Sequence, residues 1–342
     1  VKGSGEHALS EPEIYHLVRA ITSRPNVCGY NAYHTAGGVL LRPHSCKPDS
    51  DLSPVDLWVF KEMGERGTEL TGNPTHSCFE DFTFDKKHCM SGASDDFMYD
   101  HVGVFSWTTE FWDVIYAATG HRASTKIWYL GPTVDEMLAI AKWADANAPE
   151  FFQPWRPFTH PQLGQVELGG PNDFRLITNP PPHLLKQEVA PHSDFAIYQA
   201  MLSPKLEVVM TRSTLVGRTD VVSGESKGIW RVDIGIANTG FLPTNVTEKA
   251  IEIDAVLPVS VEIMSATGEC LVMADGHSPQ RVKLGQLSGR LATRVDWSGC
   301  DGTPDRAMAT WTLLGNEGDS IHVLATHPRA GTSKKEIVLS EQ

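Results

Sequence analysis

No run of 18 or more apolar residues occurs in these 342 residues, so none of them forms a helix long and apolar enough to cross a bilayer, which takes about 20. Basic residues are scarce as well. Twenty-nine Lys and Arg stand against 42 Asp and Glu, giving a net charge of −13 and a pI near 5.5. Nucleic-acid binding relies on clustered Lys and Arg, so nucleic-acid partners are set aside. Cysteines are few (Cys28, Cys46, Cys78, Cys89, Cys270 and Cys300) and form no CxxC pair, which excludes a zinc ribbon and a dense disulfide scaffold. A bridge between two of the first four is compatible with the spacing, and scattered buried thiols are the simpler expectation. The first residues, Val1-Lys2-Gly3-Ser4-Gly5, contain neither an apolar leader nor a Met, and no internal repeat or low-complexity tract appears. Compartment therefore stays open: a cytoplasmic location is the default and secretion is compatible. The glycosylation acceptor Asn245-Val246-Thr247 has meaning only on a secretory route.

What is present is ordinary globular composition, 41% apolar and 21% charged, in a chain long enough for two domains. Ser10-Glu11-Pro12-Glu13 reads as a capping box, followed by Ile14, Leu17, Val18 and Ile21 at helical spacing. Val27 to His34 reads as a strand ending in the turn Thr35-Ala36-Gly37-Gly38. Ser53-Pro54 with Asp56 opens a second helix to about Glu65, Val102 to Trp112 is a further strand, and Thr133 to Glu136 caps a third helix that Pro149 ends. Strands alternating with helices over residues 1–150 predict an α/β layer fold with helices on both faces of a sheet. Residues 151–204 shift to Pro, Gly and aromatics and read as an irregular connection with a short helix near Asp194 to Leu202. From residue 205 to 342, short β-rich runs between turn residues predict a β-sandwich.

Chemistry concentrates at two strand ends. His34 closes the first strand, and ligand sites in α/β sheets form beyond such ends. In the later strand, Val104, Ser106, Thr108 and Glu110 share one face while Phe105, Trp107 and Phe111 pack behind. A carboxylate on a half-buried strand is costly without a purpose, and general base catalysis is one. Position alone leaves a structural histidine and an Arg-paired glutamate as open alternatives for the two.

Tyr33-His34-Thr35-Ala36-Gly37-Gly38-Val39-Leu40-Leu41-Arg42-Pro43, together with Ser91-Gly92-Ala93-Ser94-Asp95-Asp96-Phe97 and Val104-Phe105-Ser106-Trp107-Thr108-Thr109-Glu110-Phe111, resembles two segments of the zinc carboxypeptidases. The separation of 76 positions between His34 and Glu110 fits that family too. The resemblance covers roughly residues 1 to 130 and implies an incomplete α/β/α carboxypeptidase domain with a mixed sheet, joined to a C-terminal β-domain as in bacterial members.

The resemblance further implies a role for each matching residue. His34 would be a Zn²⁺ ligand. Glu110 would be the general base that takes a proton from a metal-bound water and later delivers it to the leaving amine. His88 stands where family members carry the Tyr that closes over the substrate, and Ser94, Asp95 and Asp96 would shape the specificity pocket, their acidity favouring a basic terminal side chain. The family's HxxE pair of zinc ligands and its carboxylate-holding Arg residues have no counterpart before His34. His7 with Glu11 and His76 with Glu80 are spaced HxxxE in segments that do not match. The chain is therefore expected to begin within the domain and to lack two of three zinc ligands. The implied partner is a peptide substrate, with a small amino-acid amide (a deacylase) or a peptide held without hydrolysis as the alternatives; oligomeric state is not legible.

Overall fold

Phe105-Ser106-Trp107-Thr108-Thr109-Glu110-Phe111 alternates large aromatics with small or polar residues, the period-two pattern of a strand whose two faces meet different surroundings. In the computed structural model this run is an inner strand of a mixed sheet. The structure describes residues 5–83, 85–88, 90–122, 131–221, 224–266, 271–273, 279–292 and 303–341. The sheet comprises β1 (Gly29–Thr35), β2 (Val39–Arg42), β3 (Thr75–Ser77) and β4 (Phe105–Phe111), in the order β1-β4-β2-β3. β4 runs parallel to β1 and antiparallel to β2, and β2 runs parallel to β3.

The aromatic face of β4 forms the core. Trp107 is fully buried between Phe60 of α2 (Pro54–Thr71) and Phe195 of α7 (Leu185–Met201), with ring centroids 5.6 Å away on each side. Gly67 lets α2 sit close here, since a Cβ would come within 2.7 Å of Leu40 and 2.9 Å of Phe195. On the other face, Ser106 Oγ donates to the Asp95 carbonyl of α3 (Ser94–Phe97) at 2.8 Å. Helical segments thus lie on both faces of an α/β sheet, as the sequence pattern implies.

Several local expectations need correction. α1 (Pro12–Thr22) forms where the periodicity places it, but its N-cap is Glu11 with no side-chain cap bond, because Ser10 Oγ turns to Glu11 Oε1 instead. α2 continues to Thr71, where Gly72 at φ 74° closes it in the left-handed region that suits glycine. Residues 151–182 are less irregular than their Pro and Gly content implies. They hold the hairpin β5 (Phe152–His160) and β6 (Gly164–Pro171) and the helix α6 (Asp173–Thr178). α7 is a 17-residue helix with Pro191 inside it, starting nine residues before the expected Asp194. The capping box of α5 (Val134–Asn147), the helix that follows α4 (Val114–Thr119), is as read, Thr133 and Glu136 bonding reciprocally.

The chain divides into two compact units, one from Gly29–Asp100 and Phe105–Gln199, the other from Lys2–Cys28, His101–Val104 and Ala200–Gln342. The second unit carries two four-stranded antiparallel sheets enclosing one core. The first sheet has the order β10-β12-β8-β7, from β7 (Leu206–Asp220), β8 (Ser226–Asn238), β10 (Val272–Met273) and β12 (Arg306–Gly315). The second has the order β11-β9-β13-β14, from β9 (Val259–Ser265), β11 (Arg281–Gly285), β13 (Ser320–His327) and β14 (Gly331–Val338). Trp230, Val232, Ile234 and Ile236 of β8 and Trp311 of β12 share the core with Val261 and Ile263 of β9 and Ile321 and Val323 of β13. This is the alternating inward pattern of a sandwich.

Candidate active site

Parallel pairing of β1 with β4 sets the site. The register runs from Gly29 opposite Phe105 to His34 opposite Glu110 and Thr35 opposite Phe111. Register partners on neighbouring strands point to the same face and sit about 4.8 Å apart at the backbone. The two residues singled out from 76 positions apart are therefore next to each other near the C-terminal ends of β1 and β4. His34 is exposed and Glu110 half-buried.

Glu110 is left electrostatically raw. Its Oε2 is buried without a hydrogen-bond partner, and no ion pair holds it among the described residues. Burial pushes its carboxyl up to about 7, so the group exchanges a proton near neutrality. The strand end beyond it is fixed: Trp112 donates its backbone N–H to Glu188 of α7 at 2.7 Å and its indole N–H to the Leu176 carbonyl at 2.8 Å. Across the turn, Gly37 donates to the Trp112 carbonyl at 2.9 Å, and the Arg122 guanidinium reaches the Gly38 and Gly72 carbonyls and Asn73. Arg122 was not singled out in the sequence. A basic residue following a Gly-bearing helix end gives no local sign that it ties a turn more than 80 positions earlier.

Asp95 lies on the Glu110 face. It is 2% exposed at the start of α3, and the Thr108 hydroxyl, one step along β4 from Glu110 on that face, hydrogen-bonds its carboxyl. Burial, then the neighbouring Asp96 charge, raise Asp95 to about 6. No Lys, Arg or His pairs with it among the described residues. Asp96 faces other work: both of its oxygens accept the Ser45 backbone N–H, at 2.9 and 3.1 Å. Ser94 opens α3 and is half-buried. His88 ends the short turn Lys86–His88, and its side chain lies outside the described part of the structure. Buried His44 contacts Asp100 through Nε2 at 3.0 Å, and Asp100 pairs with the exposed Lys47 at 2.8 Å.

A zinc site needs three protein ligands and one open position. Among the described residues no three His, Cys, Asp or Glu are grouped to hold a metal. His34 supplies one imidazole. The HxxxE pairs do not help: His7 Nδ1 contacts the Ala8 carbonyl, and His76 lies 3.9 Å from Asp81 while Glu80 pairs with Lys86. The described residues therefore do not by themselves make a complete zinc centre. Cys46 is disulfide-bonded while Cys28 and Cys78 are free, so the expectation of thiols alone is corrected. Asn245 is buried and its amide donates to the Thr247 carbonyl at 2.8 Å, which leaves no room for a glycan in the folded protein.

Residues 2–119, about a third of the chain, match the family model described as zinc carboxypeptidase. Residues 216–338 match a model described as a domain of unknown function. The first match contains the mixed sheet, His34 and Glu110, and the second covers most of the sandwich. No curated protein matches the chain.

Proposed function

We propose that the strand ends carrying His34 and Glu110 form part of a carboxypeptidase-type hydrolytic site, with Glu110 as the proton-transfer residue. The observation that carries this reading is Glu110 itself, a half-buried carboxyl raised to about 7 with a partnerless oxygen, aligned with His34. A group with that affinity for protons takes one from a water attacking a peptide carbonyl and returns it to the departing amine. The likeness of residues 2–119 to zinc carboxypeptidases supports peptide as the substrate class. Zinc itself is given no step, because His34 alone does not satisfy its coordination.

Asp95 supplies the proposed preference. A buried carboxylate without a cationic partner, on the same face as Glu110, favours a substrate ending in Lys or Arg. Asp96, committed to Ser45, shapes the loop. Hydrolysis is tested with the natural protein that carries these residues, on peptides of one sequence with free or amidated C termini. Release of the last residue from the free form alone supports a carboxypeptidase. Cleavage of small acylated amino acids in preference supports the deacylase reading. Peptide binding with no cleavage supports a non-hydrolytic site, which the absence of a three-ligand metal group among the described residues favours as the second reading.

A further inference from the structure

The second unit contains a pocket of about 210 Å³ whose walls include Thr22, Arg24, Val27, His101, Ala255 and Arg329. None of the residues lining it is acidic. Arg329 lies in the turn between β13 and β14 and is 6% exposed. The turn is held by His327, whose Nδ1 accepts the backbone N–H groups of Arg329 and Ala330, each at 3.1 Å. The guanidinium donates to the carbonyls of Gly103 at 3.0 Å, Asn245 at 2.6 Å and Val102 at 2.5 Å. Its Nε is buried without a partner, and no carboxylate pairs with it among the described residues.

Three carbonyl dipoles satisfy donors but do not neutralise a charge, and a buried cation with no counter-ion is costly. Arg24, exposed at the end of α1, adds a second positive charge to the same pocket, and His101 adds an imidazole. The carboxyl end of α1 opposes them with only about half a charge. The local excess is therefore positive in a chain whose net charge is −13, so it does not arise from general basicity. We propose that this pocket binds a small oxyanion, a carboxylate or a phosphate, with Arg24 and Arg329 as its charge partners. Its volume of about 210 Å³ gives room for a small anion such as inorganic phosphate or the carboxylate end of a short compound.

The test is calorimetric titration of the intact chain with inorganic phosphate and, separately, with acetate at constant ionic strength. The wild type is compared with Arg24→Ala and Arg24→Glu, whose surface position leaves folding intact. One saturable site is expected, about tenfold weaker in Arg24→Ala, as befits loss of a charge-assisted bond, and absent in Arg24→Glu. Tighter binding of phosphate than acetate would assign the phosphate chemistry, and the reverse the carboxylate. Arg329→Met, checked for folding by its thermal transition, should lose binding in the same way. Failure of both anions to saturate the wild type well above about 1 mM, or equal affinity in wild type and Arg24→Glu, would overturn the proposal.

Discussion

His34 and Glu110 stand side by side on one face of two adjacent parallel strands, paired in register. That relationship follows from backbone pairing alone, and a slip of one residue would send one of the two side chains to the Trp107 face. The partnerless oxygen of Glu110 is its energetic signature.

The cost of holding Glu110 charged gives a pH-dependent prediction. Its carboxyl is raised from 4.5 to about 7, so the folded state holds the proton more tightly than the unfolded chain. Stability associated with it is fully present below pH 4.5 and is lost as pH rises through about 7. Glu110→Gln should therefore melt above the wild type at pH 8, and the gap should close on moving to pH 4.5, measured by circular dichroism at both values. An equal gap at the two pH values would contradict a buried, unpaired carboxyl.

Trp107 packs the opposite face of that strand between Phe60 and Phe195. Trp107→Ala should cost about 3–5 kcal/mol, read from chemical denaturation of the first unit. A loss near that of a surface substitution, about 0.5 kcal/mol, would show that the α2–β4–α7 packing is not the core of that unit.

Legibility divided along the range of the interactions. The helix starts at Ser53 and Thr133 were readable because the cap is local: each side chain accepts a backbone N–H three residues on. The β4 face pattern was readable for the same reason, and the sandwich showed as alternating short runs. The hairpin at Phe152–Pro171 was hidden because its strands are exposed on most residues, so no alternation marks them. The extent of α7 was hidden by Pro191, a residue that ordinarily signals a helix boundary. At the candidate site, the strand-end positions of His34 and Glu110 were legible from the strand patterns. The distinction between Asp95 and Asp96 was not, because it depends on contacts with Thr108 and Ser45 that are distant in sequence. Arg122, Glu188 and the buried His192, whose ring meets Phe111 at 4.6 Å, likewise act through tertiary contacts only.

That distinction between adjacent acids predicts different phenotypes. Asp95→Asn should weaken preference for peptides ending in Lys or Arg over those ending in Leu by about tenfold or more, through kcat/KM, as loss of one charge-assisted contact implies. Asp96→Asn should leave that preference in place and lower the melting temperature, since it weakens two contacts to Ser45. Equal selectivity in the two variants would remove Asp95 from the specificity assignment.

A metal measurement addresses the ligand count. With no group of three metal-binding side chains among the described residues, the 342-residue chain should not retain stoichiometric zinc after dialysis, as measured by atomic absorption. One zinc per chain, lost on His34→Ala, would show that ligands exist beyond those residues.

Proton transfer by Glu110 is read from C-terminal residue release from peptides by the natural protein and its Glu110→Gln variant, with thermal transitions compared at pH 8. If Glu110 is the general base, kcat falls by about 10²–10⁴, the usual share of general base catalysis, in a variant that melts no lower than the wild type. Release at the wild-type rate by a folded Glu110→Gln variant would contradict it.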